Sequence, residues 1–414
     1  MKTKLKTCKN VLCAIALGMT IVTLSSCEKD PIKPEPENFD LVGEITADRT
    51  LSAGNSYTLS GGLHVKSGAT LTIEQGVTIV AIDDNIVDYI LIEQGAKMNA
   101  QGTISNPIIM TSEKKLPGAW GGLHICGYAP INVTGATSKS EIGDATYGGN
   151  NKADNSGIYK YIRIEYTGYA FSEEKESNGI TLYGVGNGTT VEHIEAYKGS
   201  DDGFEWFGGT VNVKYVVSAY CSDDSFDWTE GWTGKGQFML ALQAPESSLG
   251  YECDCLIEAD NNSKDALASP ISHPILSNLT LVGNGSSLNT RGVRLRAGTQ
   301  VEIYNTIVKG KPSCLTTETA ETETALVDHI SSLEYITLEN SVSAKEGIYS
   351  SELFASSQNN NQINQDITLT NNYLGIISGG KDLSSTDSFF TKTNYRGAVE
   401  AESDWTKGWT LFTL

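Results

Sequence analysis

Positive charge is scarce in this chain: 30 lysines and arginines stand against 50 aspartates and glutamates, for a formal net charge of -20. Lys2, Lys4, Lys6 and Lys9 lie in the first 26 residues, which hold no acid, so without that segment the net charge is -24. Such a surface repels phosphate backbones and excludes nucleic acid as a partner; it suits cations, or neutral and cationic ligands. Histidine is sparse too. The five, His64, His124, His193, His273 and His329, form no paired ligand spacing and are expected to be structural or surface residues. Helical periodicity is weak throughout, and no run after Leu24 is apolar for long enough to cross a bilayer. After Cys27 the cysteines number five, Cys126, Cys221, Cys253, Cys255 and Cys314. An odd count leaves a free thiol, the spacing fits no zinc template, and Cys253 and Cys255 are too closely tethered to pair easily. They read mainly as small buried apolar residues.

The one long apolar run comes first. Val11–Leu24 spans 14 residues behind the four lysines, shorter than the ~20 a spanning helix needs and shaped like a secretion signal. It ends in Leu24-Ser25-Ser26-Cys27, which resembles a bacterial lipobox, with cleavage before Cys27 and lipid on its thiol. Residues 1–26 are thus expected to be a lipoprotein signal peptide. Residues 27–38, with Glu28, Asp30, Pro31, Pro34 and Pro36, read as a flexible stalk. An acidic stretch directly after the lipidated cysteine is similar to the surface-export signal of Bacteroidota lipoproteins, which implies an outer-membrane anchor with the folded part facing the medium.

From residue 39 to 414 no further linker interrupts the pattern, so a single elongated domain is expected. Short alternating runs are separated by Gly, Asn, Asp and Ser. Leu63-His64-Val65, Leu71-Thr72-Ile73 and Val77-Thr78-Ile79 place apolar residues at i and i+2, with Gly68 and Gly76 at the corners, and read as one turn of a coil. Thr72-Ile73-Glu74-Gln75-Gly76 returns as Leu91-Ile92-Glu93-Gln94-Gly95, 19 residues on, and marks the next. The sharpest echo is Ser200–Trp206, Ser-Asp-Asp-Gly-Phe-Glu-Trp, repeated as Ser-Asp-Asp-Ser-Phe-Asp-Trp at Ser222–Trp228, an offset of 22 residues. A period in the low twenties is what a coil of three short strands and three turns requires. The fold class is therefore all-β: a single-stranded, right-handed parallel β-helix. A β-sandwich would also show short alternating strands, but gives no reason for near-identical blocks at one rung spacing. Residues 39–57 read as an N-terminal cap. Residues 130–157 and 316–328 do not follow the rungs and are expected to project as loops.

Pro117–Leu123, Gly199–Val211, the repeated Ser-Asp-Asp blocks and the closing Asp404–Thr410 together resemble a family of Bacteroidota surface lipoproteins thought to be β-helices of the pectin-lyase type. The likeness covers nearly the whole mature chain and implies fold and location without bringing a reaction.

The repeat also stacks acids. With Phe204 and Trp206 facing the core, Asp201 and Glu205 point outward, followed one rung on by Asp223 and Asp227; Asp202 and Asp224 turn inward near the corner. Two like charges one strand spacing apart repel by roughly 3 kcal/mol at an effective dielectric of 20, so something must offset them. Turn capping accounts for Asp202 and Asp224. A calcium site on Asp201, Glu205, Asp223 and Asp227, with Glu258, Asp260, Asn261 and Asn262 as further oxygens, is the second explanation. Catalysis is the third, since glycoside hydrolases use paired carboxylates. The polygalacturonase-type partner motifs Asn-Thr-Asp, Gly-His-Gly and Arg-Ile-Lys are missing, and the repeat holds no base for a lyase; Arg294 and Arg296 share a face further on and read as a solvated edge. Trp206, Trp228 and Trp232 are candidates to stack on sugar rings. The reading that follows is a surface lipoprotein that binds a glycan with calcium as the one candidate cofactor, and leans away from an enzyme. A polysaccharide lyase or glycoside hydrolase is the alternative, and a structural or accessory component of an outer-membrane protein complex the second.

Overall fold

The computed structural model describes residues 39–171 and 175–413. The expected signal peptide, the stalk and the lipidation of Cys27 lie outside the described residues. Among the described residues twenty-three strands join in one parallel hydrogen-bonded system that winds as a coil, with three stacks of strands per turn. The first stack climbs through Tyr89–Ile92, Leu123–Cys126, Ile180–Tyr183, Phe204–Phe207, Phe226–Thr229, Ile257–Asp260, Arg291–Arg296, Ser313–Thr317 and Ser341–Ala344. The second and third stacks are the two halves of longer strands such as Thr190–Tyr197, Asn212–Ala219 and Lys235–Leu242.

Those longer strands bend at one residue each. Tyr161, His193, Tyr215, Phe238, Asn278, Asn305 and Tyr335 all carry φ between 51° and 59°. A left-handed residue costs a non-glycine side chain about 1–2 kcal/mol, and stacking supports it here: the rings of Tyr161 and His193, His193 and Tyr215, and Tyr215 and Phe238 lie 4.2, 4.5 and 4.8 Å apart. The predicted corner glycines Gly68 and Gly76 have φ of 88° and 72°.

The 22-residue echo is a true rung. Phe204 pairs with Phe226, Glu205 with Asp227 and Trp206 with Trp228. The 19-residue echo is not: Leu91 stacks on His64, and Thr72 on Asn99, 27 residues away. Its two copies occupy different stacks, because strand–Gly corners recur within a turn as well as between turns. The N-terminal segment is no separate cap but a rung in itself, since Asp40–Ile45, Arg49–Leu51 and Ser56–Val65 pair upward into the coil.

Neither stretch expected to project does so freely. Within residues 130–157, Ile131, Ala145 and Tyr147 fold back onto Leu91, Cys126 and Tyr183 on the outer face of the first stack. Residues 316–328 complete the strand Ser313–Thr317 and then form the helix Ala320–Val327, whose Leu326 joins the coil's core at its C-terminal end. After the last rung the chain runs back along the outside of the coil, laying Trp405 and Trp409 against His193.

Candidate functional site

The first stack presents a column of polar side chains to the outside. Thr181, Glu205, Asp227, Glu258, Arg294 and Thr316 follow one another in register. They point outward because their neighbours point in: Phe204, Trp206, Phe226 and Trp228 are all 0 % exposed. Trp232 is equally buried and stacks on Trp206 at 4.5 Å. Sugar stacking on Trp206, Trp228 and Trp232 is thereby corrected. Their rings fill the wide interior between small neighbours such as Ala259, and none has a face open to a ligand.

The four acids come together through a fifth. Carboxylate oxygens of Asp201, Asp202 and Asp223 lie within 4.8 Å of one another, and so do those of Asp202, Glu205 and Asp227. Asp202 is therefore shared between two groups, where an inward turn-capping role alone was expected. It performs that role as well: its Oδ1 accepts the backbone N–H of Asp224 at 2.9 Å, and Asp224 Oδ1 accepts that of Cys255 at 2.6 Å, one rung higher each time.

These groups are less exposed than outward-pointing acids on a bare coil. Asp201, Asp202 and Asp224 are buried, Glu205 is 9 % exposed, Asp227 is half-buried, and Asp223 is open to solvent. Asn178 covers Glu205, donating from Nδ2 to its Oε2 at 2.6 Å. Burial, then the charges of Asp223, Glu176 and Glu141, pushes Asp201 up to about 8. Burial and neighbouring acids raise Asp202, Glu205, Asp224 and Asp227 well above the usual carboxylate range. Asp223 is raised to about 6, by desolvation first and then by Asp254 and Glu258.

Further up the column the charges are balanced. Arg294 pairs with Glu258 at 2.6 Å and Glu318 at 3.0 Å; Arg296 pairs with Glu258 at 2.5 Å and Asp260 at 2.6 Å. The arginine edge expected to be solvated is thus an ion-pair network that takes Glu258 and Asp260 out of the set of free oxygens. Asn261, another expected ligand, instead accepts from Asn132 at 2.7 Å and from the Ser272 N–H at 2.8 Å. Among the described residues no ion pair within 4 Å engages Asp201, Asp202, Glu205, Asp223 or Asp227. Asp227 Oδ1 is enclosed and has no hydrogen-bond partner among the described residues.

A groove of about 530 Å³ opens alongside, lined by Val133, Phe207, Thr229, Glu230, Asn262 and Lys264 among others. Phe207 and Thr229 are two residues beyond Glu205 and Asp227 on the same strands. Residues 43–410 match the pectate-lyase-like β-helix domain as a family. The chain belongs to that family. Comparison with characterised proteins and with solved structures gives no match.

In this pectate-lyase-like β-helix, three site features were not foreseen: the bridging by Asp202, the cover by Asn178, and the groove beside Phe207. The first was within reach, since Asp202 recurs with its neighbour in both copies of the repeat. The second and third depend on residues 130–157 and 178 meeting the first stack, for which no local pattern exists. The cysteines behave as expected: Cys126, Cys221, Cys253, Cys255 and Cys314 are buried free thiols, and burial pushes Cys221 up to about 11. His124 is fully buried, with desolvation lowering it to about 4, a structural residue held against the Gly121 carbonyl.

Proposed function

We propose that this β-helix is a lipid-anchored protein of the outer-membrane surface that binds an extracellular glycan, assisted by calcium on Asp201, Asp202, Glu205, Asp223 and Asp227. The observation that carries the reading is Asp227 Oδ1, an enclosed carboxylate oxygen without a hydrogen-bond partner among the described residues, set among acids that form no ion pair within 4 Å there. A hard cation takes six to eight oxygens and relieves both the repulsion and the orphaned acceptor. The groove beside the acids supports a polyhydroxylated ligand, because hydroxyl, amide and charged side chains surround one aromatic ring there. Binding is favoured over cleavage because Arg294 and Arg296, the arginines that follow the acids on the first stack, are engaged by Glu258, Asp260 and Glu318. The location rests on the lipobox ending in Cys27, the acidic residues after it, and the likeness to Bacteroidota surface lipoproteins.

The test is a glycan array probed with the mature protein in calcium and in EDTA, with Asp227→Asn alongside and calcium affinity read by titration calorimetry. Expected are glycan signals that fall at least about tenfold on chelation and in the variant. Oligosaccharide release from a bound glycan overturns the non-enzymatic reading in favour of a lyase or hydrolase. Calcium binding with silence on every glycan points instead to an outer-membrane protein complex, and absence of calcium binding removes the cation site.

A further inference from the structure

The acids on the outer face of the first stack fall into two groups rather than one. Carboxylate oxygens lie within 4.8 Å of one another in Asp201, Asp202 and Asp223, and again in Asp202, Glu205 and Asp227; Asp202 alone belongs to both. Calcium binds oxygen at about 2.3–2.6 Å, so two oxygens on one ion stand at most about 5 Å apart. Each group meets that limit by itself. The five acids do not form a single set of that size among the described residues, so an ion on either group leaves two acids of the other bare. Each group also holds an acceptor short of donors. Asp201 is 7 % exposed, and among the described residues its carboxylate meets no cation and no donor beyond the N–H of Asp202, next in the chain. Asp227 Oδ1, in the other group, is enclosed without a hydrogen bond among the described residues.

We propose that this face takes two calcium ions, one on Asp201, Asp202 and Asp223 and one on Asp202, Glu205 and Asp227, with Asp202 bridging them. The inference rests on the calcium reading above and adds the number of ions and the division of the acids between them. One divalent ion balances two of the five carboxylates when all are ionised; two ions balance four. Burial makes that difference weigh, because charges left bare out of water are costly. The bridging carboxylate is held in place, since its Oδ1 accepts the Asp224 N–H at 2.9 Å. The two ions differ in access. Asp223 is open to solvent, so the first group exchanges its ion readily, whereas Glu205, 9 % exposed under Asn178, closes the second.

Equilibrium dialysis of the mature protein against calcium up to ~1 mM, with bound metal counted per chain, tests this. Two ions are expected in the wild type, and one in each of Asp223→Asn and Asp227→Asn, which remove a ligand from one group apiece. Asp202→Asn is expected to weaken both ions at least about tenfold; its amide oxygen still accepts the Asp224 N–H, and far-UV circular dichroism checks that the coil remains. A single ion in the wild type that both Asp223→Asn and Asp227→Asn abolish overturns the proposal and leaves the calcium reading standing. Two ions held at unchanged affinity in Asp202→Asn overturn it as well. No bound calcium in the wild type removes the calcium reading itself, and the two-ion site with it.

Discussion

Asp202 holds one turn of the coil to the next and also brings two groups of acids together, so a single carboxylate connects fold and site. The energetic consequence follows from the raised acids around it. Asp201, up to about 8, and Asp223, up to about 6, start from an ordinary 3.8. Between pH 4 and 8 the folded chain therefore holds more protons than the unfolded one, and stability falls as pH rises through that window, levelling off above it. A pKa raised by one is worth about 1.4 kcal/mol before relaxation, and the contribution of the exposed Asp223 is cut by solvent screening. Denaturant unfolding in EDTA is expected to give a free energy lower by a few kcal/mol at pH 8 than at pH 5, and calcium is expected to restore most of it at pH 8. A flat profile in EDTA, or no effect of calcium, contradicts the account. The six acidic positions of the repeat were legible in the sequence, because the echo is nearly identical; the burial of Glu205 under Asn178 was not, because a side chain from another rung provides it.

Among the elements, the helix Ala320–Val327 depends on one buried acid. Glu323 is 0 % exposed and accepts from Thr317 Oγ1 at 3.1 Å and from the N–H groups of Glu346, Ile348 and Tyr349 at 3.0, 2.8 and 3.0 Å. It ties the helix to the strand Ser313–Thr317 and to the segment that follows the strand Ser341–Ala344. Glu323→Ala leaves those donors unpaired, and a loss of roughly 3 kcal/mol or more is expected from equilibrium unfolding; a cost below 1 kcal/mol means that water replaces the carboxylate. Residues 316–328, rich in Thr and Glu, break the rung pattern and are expected as a loop, and threonine is itself a poor helix former. Tertiary contact overrides that propensity, with Leu326 and Ala325 buried against the coil end. Rung spacing carries a related lesson. The 22-residue repeat marks stacking because its large aromatics must lie on one another, as Phe204 and Phe226 do at 5.5 Å, whereas the Ile-Glu-Gln-Gly echo reflects only the chemistry of a corner.

For the whole molecule, the returning C-terminal segment spans many rungs. Lys214 donates to the Phe389 carbonyl, Asn278 to those of Tyr395 and Gly397, and the N–H groups of Leu411 and Phe412 reach the fully buried Glu195 at 2.5 and 3.1 Å. Trp409, 0 % exposed, packs on Tyr161 and His193 at 5.7 and 5.8 Å. Trp409→Ala is expected to release this end locally: amide hydrogen exchange rises over residues 404–413 while the strands Thr190–Tyr197 and Asn212–Ala219 keep their protection. Equal loss in those strands would make the segment part of one cooperative unit with the coil.

Sequence by itself determined the coil. Alternating apolar residues, corner glycines and a repeat of one rung leave parallel stacking as the arrangement that buries Phe204 and Phe226 together. It also determined that acids would gather on the outer face of that stack, because side chains alternate along a strand. Only the tertiary structure decided how open those acids are, which of them Arg294 and Arg296 neutralise, and that the tryptophans face inward. Lys235–Leu242 is apolar on both faces, as a covered strand must be, and what covers it was decided by the tertiary structure. The cover and the groove arise where segments several rungs apart in the chain meet, and contacts at that separation leave no period along it.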